Sequence, residues 1–221
     1  MVADAGVDLI DIKEPSRGSL GAATPIVWRE VVDEINGAVP LSVALGEFSD
    51  LSGFPSPSIL EGIQYVKCGF SNCADQVECF RQWNEFTRDL PAQICPVSVI
   101  YADWKQAAAP SPSEVLGQSQ NALAVLVDTY LKDGSNLFDA LSESELKEII
   151  VQCQKRGQMV VLGGSLRGES IDRALGLRAD FVAVRGAVCN ENRSGEIDAK
   201  LVGELVKQVE QFNFNFVKTK R

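Results

Sequence analysis

Val7-Asp-Leu-Ile-Asp-Ile-Lys13 runs into the glycine-rich Ser16-Arg-Gly-Ser-Leu-Gly21 and then into a helical stretch from Pro25 to Ile35. A short β-branched apolar run, a polar loop and an amphipathic helix make one strand–helix unit. The same unit recurs along the chain. Further apolar runs stand at Pro40–Gly46, Tyr65–Phe70, Pro96–Tyr101, Ala122–Asp128, Val160–Gly164 and Phe181–Arg185. Helical stretches at Ala74–Arg88, Ser142–Lys155, Ser170–Leu177 and Asp198–Gln211 separate or follow them. Near-continuous apolar strands alternating with amphipathic helices predict a parallel sheet covered by helices. No Gly-x-Gly-x-x-Gly follows an early strand, so a dinucleotide-binding fold loses ground to an α/β TIM-type (β/α)8 barrel.

The reading predicts one barrel domain over 1–211 and a C-terminal tail at 212–221. Seven strands can be counted where such a barrel has eight. Met1-Val-Ala-Asp-Ala-Gly6 reads as the last turns of a helix closed by a glycine cap, so the expected barrel lacks its first strand and the front of its first helix. Its open seam would give a reason to form a homo-oligomer. Phe212-Asn-Phe-Asn-Phe216 alternates like an edge strand, or is a loosely packed tail.

A net charge of −9 over 221 residues argues against a nucleic-acid surface, which needs a basic stripe. The six cysteines show no Cys-x-x-Cys pairing and histidine is absent, so no metal site is expected and the thiols read as reduced. No apolar run approaches the roughly 20 residues of a membrane span, and no signal peptide opens the chain. The expected location is cytoplasmic, with no membrane partner.

Without histidine, proton transfer falls to Lys, Asp, Glu, Tyr or Cys. Lys13 and Lys67 each close a short apolar segment that reads as a buried strand. An ammonium there must be held by a carboxylate or lose its proton, and a neutral amine attacks carbonyls. Residues two apart in a strand share a face, so Asp11 lies beside Lys13 and Tyr65 beside Lys67, while Ile10, Ile12 and Val66 face the helices. Asp128 ends one run, Lys132 follows in its loop and Asp103 ends the Ile-Tyr-Ala-Asp segment. In a barrel Lys13, Lys67, Asp11 and Asp128 would converge at one mouth. The plainer alternative is that Asp11–Lys13 and Asp128–Lys132 are rim salt bridges.

Gly18 and Ser19 after the first strand, Gly163-Gly164-Ser165, and Arg185-Gly186 stand where loops could cradle phosphate, or where glycines only permit tight turns. Such loops flanking a lysine cluster suggest a phosphorylated carbonyl substrate. Val77, Phe80, Trp83 and Phe86 recur at helical spacing as core. Ser49–Ser58 reads as a lid over the mouth or an ordinary loop.

At these residues the sequence resembles the (5-formylfuran-3-yl)methyl phosphate synthase family. The resemblance is carried by Asp8-Leu-Ile-Asp-Ile-Lys-Glu-Pro-Ser-Arg-Gly-Ser-Leu-Gly-Ala22, Tyr65-Val-Lys-Cys-Gly69, Leu126-Val-Asp-Thr-Tyr-Leu-Lys-Asp-Gly134 with Leu137-Phe-Asp139, and Val182-Ala-Val-Arg-Gly-Ala187. It implies a (β/α)8 barrel that condenses two glyceraldehyde 3-phosphate molecules, with loss of phosphate and water, into a furan precursor of methanofuran-type cofactors. It implies no metal or organic cofactor. Lys13 matches the family's Schiff-base lysine, Lys67 its proton acceptor, and Asp11, Asp128 and Lys132 further site residues. The alternatives are a class I aldolase acting on triose phosphates and a barrel that binds sugar phosphates without turnover.

Overall fold

The computed structural model describes residues 2–73, 75–190 and 193–219. Seven strands form one sheet: β1 Ile10–Ile12, β2 Leu41–Glu47, β3 Tyr65–Gly69, β4 Cys95–Tyr101, β5 Ala124–Asp128, β6 Met159–Leu162 and β7 Phe181–Val182. Every pairing is parallel and the strands stand in chain order. The helices are α1 Pro25–Ile35, α2 Gln76–Arg88, α3 Pro112–Gln118, α4 Leu137–Ala140, α5 Glu143–Lys155, α6 Glu169–Gly176 and α7 Ala199–Thr219.

The sheet curls. The Lys13 ammonium on β1's end comes within 4.0 Å of the Asp128 carboxylate on β5, and the Ser19 hydroxyl after β1 donates to the Thr129 carbonyl after β5 at 2.8 Å. Strands four places apart in a flat sheet would lie about 19 Å apart at the usual spacing, too far for either contact. The curl encloses an inner apolar cluster that includes Ala44, Val97, Val99, Tyr101, Ala124 and Leu126. The outer face, with Ile12, Val43, Val66, Ile100 and Val125, packs against Trp28, Phe80, Trp83, Leu146 and Ile149 of the helices. Ile10, Ile12 and Val66 do face the helices, as their alternation predicts. The curled seven-stranded sheet is TIM-like, but a full eight-strand barrel is not what it forms: no β1–β7 pairing appears among the described residues.

Chain chemistry sets the element ends. Thr24 caps α1 by accepting the Val27 N–H, Pro25 stands at the first position where its missing N–H costs nothing, and Asn36 closes the helix in a left-handed conformation. Gly6 likewise closes a short 3-10 turn at Ala3–Ala5 with φ 86°. The sequence reading missed α3 and α4. Both are short, yet each carries a capping box, Ser111 with Glu114 and Asn136 with Asp139, and that pairing was the available signal.

Several expectations need correction. Lys13 lies one residue past β1, and β7 ends at Val182, so Arg185 belongs to the following loop. The predicted start of the second helix at Ala74 lies outside the described residues, and α2 begins at Gln76 after its Asp75 cap. Val77 is 82 % exposed, not core, because in the first turn of α2 it points away while Cys79, Phe80 and Trp83 turn inward. Helix α7 continues past Gln211 to Thr219, so the alternating stretch is helical and not an edge strand; Phe212 on it lies beneath the Arg178 guanidinium at 4.9 Å. Within the Ser49–Ser58 segment, Phe54 stacks on Phe86 at 4.2 Å and meets Trp83. Among the described residues no helix is long and apolar enough to cross a membrane.

Candidate active site

The first half of the site is built on three adjacent strands. Asp11 of β1 pairs in register with Ser42 of β2, and Ser42 with Tyr65 of β3, which sets Lys67 one inward position further along. The Lys67 ammonium donates to the Asp11 carboxylate and, at 2.7 Å, to the Ser42 hydroxyl. Lys67 is 4 % exposed, and burial, which penalises the charged amine, pulls its pKa below the usual lysine value against the opposing attraction of Asp11. Asp11 keeps 30 % of its side chain exposed. Burial opposes its charge as well, but the Lys67 and Lys13 ammonium groups outweigh that and hold it below the usual carboxylate range.

The second half is built on one loop. Asp128, the last residue of β5, accepts from Lys132 at 2.9 Å and from the Thr129 N–H at 2.7 Å. Lys132 also donates to the Thr129 carbonyl at 2.5 Å and hydroxyl at 3.1 Å. The loop is anchored by buried Asp103, which accepts from the N–H groups of Tyr130 at 2.7 Å and Leu131 at 2.8 Å. Burial lowers the Lys132 pKa, and the Lys132 and Lys13 charges keep Asp128 low against the burial that would raise it. Lys13 joins the two halves: it lies 4.0 Å from Asp128, and its charge is felt at Asp11 and Lys67.

All five predicted catalytic candidates therefore meet. The pairing differs from the expected rim bridges in one respect, since Asp11 bonds Lys67 rather than Lys13. The cause is depth: Lys67 lies within β3 and points across at β1, whereas Lys13 leaves the ladder after Ile12 and leans toward β5.

The predicted phosphate loops surround this network. Ser19 uses its hydroxyl on Thr129, and the Gly18 carbonyl accepts from Arg193 at 3.1 Å. Arg185 donates through Nε to the Arg193 carbonyl at 2.7 Å. Gly163 donates its N–H to Val127 at 2.8 Å, and a Cβ there would lie 3.6 Å from the Asp128 carboxyl carbon. The Gly164 carbonyl accepts from Leu137 at 2.9 Å, and Ser165 adopts a left-handed φ of 53°. Gly186 lies against Arg167, where a Cβ would come within 2.6 Å of the guanidinium. Two arginines, 167 and 193, thus enter the surroundings unannounced by the sequence reading. Burial lowers the pKa of Arg193, opposed by Asp128.

Glu47 and Tyr101 were also missed. The Tyr101 hydroxyl donates to the Glu47 carboxylate, which accepts the Ser71 N–H at 3.0 Å on its other oxygen. The register shifts between Ala44 and Glu47, where Gly46 takes φ 102°. That bulge turns Glu47 inward, a reversal that simple alternation cannot foretell. A cavity of about 500 Å³ lined by Phe48, Leu51, Phe54, Cys73, Cys79 and Gln82 lies beside α2 and touches none of the amines.

Residues 1–206 match the family model described as 4-HFC-P synthase. A (5-formylfuran-3-yl)methyl phosphate synthase from Methanosarcina acetivorans is 31 % identical over 212 residues, covering 92 % of this chain and 91 % of that protein. The protein of the same name from Methanopyrus kandleri is 32 % identical over 216 residues, with the same coverage of 92 % and 91 %. Among solved structures, a phosphoribosyl anthranilate isomerase in complex with reduced 1-(o-carboxyphenylamino)-1-deoxyribulose 5-phosphate superposes with TM-score 0.59 at 16 % identity, covering 95 % of this chain and 91 % of that one. The Thermus thermophilus phosphoribosyl anthranilate isomerase gives 0.56 at 13 % identity, covering 95 % and 92 %. These two likenesses concern the fold alone.

Proposed function

The chain belongs to the 4-HFC-P synthase family, and from that premise we propose that it is a lyase-type synthase. It joins two molecules of glyceraldehyde 3-phosphate through a lysine Schiff base, releasing phosphate and water, to give (5-formylfuran-3-yl)methyl phosphate, a methanofuran-type cofactor precursor. The observation that carries the reading is one cluster of two ion-paired groups, Lys67 with Asp11 on β3 and β1 and Lys13 and Lys132 with Asp128 after β1 and at the end of β5, with the Lys13 charge acting on both.

Lys13 is the nucleophile. Its nitrogen adds to the substrate aldehyde and the carbinolamine loses water to form an imine, with Asp128 close enough to shuttle the protons. The imine withdraws electrons from the adjacent carbon. Lys67 takes the proton from that carbon, a role suited to an amine whose protonated form is disfavoured by burial. The enamine then expels phosphate or attacks the second aldehyde, and Asp11 and Asp128 position the amines and pass protons in the dehydrations that close the ring. Gly18, Gly163, Gly164, Ser165, Arg185 and Gly186 border the space for the phosphates, and Ser19 holds one of those loops through Thr129.

Treatment with glyceraldehyde 3-phosphate and borohydride, followed by peptide mass spectrometry, tests the reading. The expected result is a reduced adduct on Lys13 together with release of inorganic phosphate. No adduct on Lys13 sinks the mechanism, and an adduct without phosphate release points to a simple class I aldolase instead.

A further inference from the structure

Glu47 and Tyr101 stand in the same ring of residues as Asp128 and have no part in the steps above. Tyr101 is the register partner of Asp128 on the neighbouring strand, so both side chains leave the same face of the sheet. Tyr101 is 1 % exposed and Glu47 8 %. The phenol packs edge-on against Tyr130 of the Asp128 loop, with ring centroids 5.3 Å apart. Gly69, two residues beyond Lys67 and so on the same face, makes the pair possible. A Cβ there would overlap the Glu47 carboxylate and the Tyr101 hydroxyl. Among the described residues no lysine or arginine forms an ion pair with Glu47; its oxygens are held by the Tyr101 O–H and the Ser71 N–H.

Resting on the function proposed above, we propose that Tyr101 and Glu47 form a second proton-transfer unit of the site, a two-step relay that spans the ends of β2 and β4. A substrate hydroxyl gives its proton to Tyr101 Oη while that oxygen passes its own proton to Glu47. The phenol is neutral before and after, the carboxylate becomes a carboxylic acid, and the electron pair stays on the substrate oxygen. Run in reverse, the relay returns the proton to a departing hydroxide, which leaves as water.

Two observations favour a relay over a phenolate base. Burial and the neighbouring charges of Glu47 and Asp128 raise the Tyr101 pKa well above its usual value, so the oxygen conducts a proton without ionising. The groups facing the pair are Asp128 from β5, Cys68 from β3 and Cys73 from the loop before α2, none of them cationic. The terminal acceptor is therefore Glu47, whose second oxygen is pinned by Ser71 so that the first points at the phenol.

The test uses the intact protein with glyceraldehyde 3-phosphate and the variants Glu47→Gln, Tyr101→Phe and the double variant, alongside melting temperatures and borohydride trapping on Lys13. Both single variants are expected to trap the imine as the parent does and to lose about 100-fold in kcat, with KM changed less than threefold. The double variant is expected to lose no more than either single one, since members of one relay fail as a unit. Should Tyr101→Phe fail to fold, Glu47→Gln decides alone, because its amide oxygen still accepts the Ser71 N–H while its NH2 can donate to the phenol oxygen, keeping the shape but removing the proton acceptor. Parent-like kcat in a folded Glu47→Gln protein overturns the relay while leaving the Schiff base intact. Losses that multiply in the double variant, or loss of trapping in the singles, overturn it too. A parent protein that neither traps nor turns over removes the underlying reading, and the relay with it.

Discussion

The two halves of the mouth solve the same problem by different means. On the β1–β3 side a lysine is held across strands, 56 residues from its carboxylate, with Ser42 between them on β2. On the β5 side the lysine follows its carboxylate by four residues, and its other partners, both on Thr129, belong to the same loop. The strand-built half exists only once the sheet has formed. The loop-built half is a local turn that the sheet merely positions through Asp103 and Ser19. A base that must keep a fixed distance from a reacting carbon gains from the first arrangement, because strand positions are fixed on both sides by ladder hydrogen bonds. Lys132, in a loop, is better suited to follow a ligand.

Lys13 belongs to neither half and reaches both, so its loss should be the largest effect. Lys13→Ala is expected to abolish the borohydride adduct and to reduce product formation by about 10⁴-fold or more, as removal of a covalent nucleophile does. An adduct appearing instead on Lys67 or Lys132 would break the comparison by moving the nucleophile into one of the halves.

The next effect separates the halves directly. Lys67→Met should lower kcat by roughly 10²–10⁴-fold, the usual worth of a positioned proton acceptor. Lys132→Met should raise KM more than it lowers kcat, by about tenfold. Steady-state kinetics of the two variants checks this. Equal losses in kcat would mean that strand and loop lysines do the same work.

The asymmetry also decides what could be read from the sequence. Strand number, parallel order and helix alternation were legible because each strand's apolar face and each helix's stripe are local patterns. The convergence of Lys13, Lys67, Asp11 and Asp128 was legible through the rule that barrel sites gather at strand C-termini. The Asp128–Lys132 pair was legible from its spacing of four, but the partner of Asp11 was not, since Asp11 and Lys13 are neighbours in sequence and the chain leaves the ladder at Ile12. Glu47 was hidden by the Gly46 bulge, which reverses the facing of the residue after it. Arg193 was hidden because its place is fixed by an excursion that returns through the Cys189–Ile197 bridge, a pairing without sequence periodicity.

A smaller effect probes the packing of the strand-built half. Gly69→Ala forces a methyl group against Glu47 and Tyr101 and should cost about 1–3 kcal/mol by denaturant melting, the range for overpacking. Gly117→Ala is the control, in a helix with nothing within 4 Å of the added carbon; it should stabilise by about 0.5–1 kcal/mol. If both changes were neutral, the Glu47–Tyr101 contact would not be tightly packed and the strand side would be looser than the loop side.

The smallest expected effect lies in acid. Asp11 and Asp128 both have carboxyl groups held below their usual range, in each case by lysines that outweigh burial. Their unfolded counterparts bind protons first as the pH falls, so each contributes stability that is complete above the ordinary carboxylate value and lost as the pH drops through the folded one. The window therefore lies below about pH 4. Asp128 has 7 % of its side chain exposed and Asp11 30 %, so solvent screens Asp11 more and its share should be the smaller. Thermal melts between pH 6 and pH 3 should show a flatter acid limb in Asp128→Asn than in Asp11→Asn, by a few degrees at the low end. The reverse order would show that the strand-built pair, despite its exposed carboxylate, is the more strongly coupled of the two, and that depth of burial is not what distinguishes the halves.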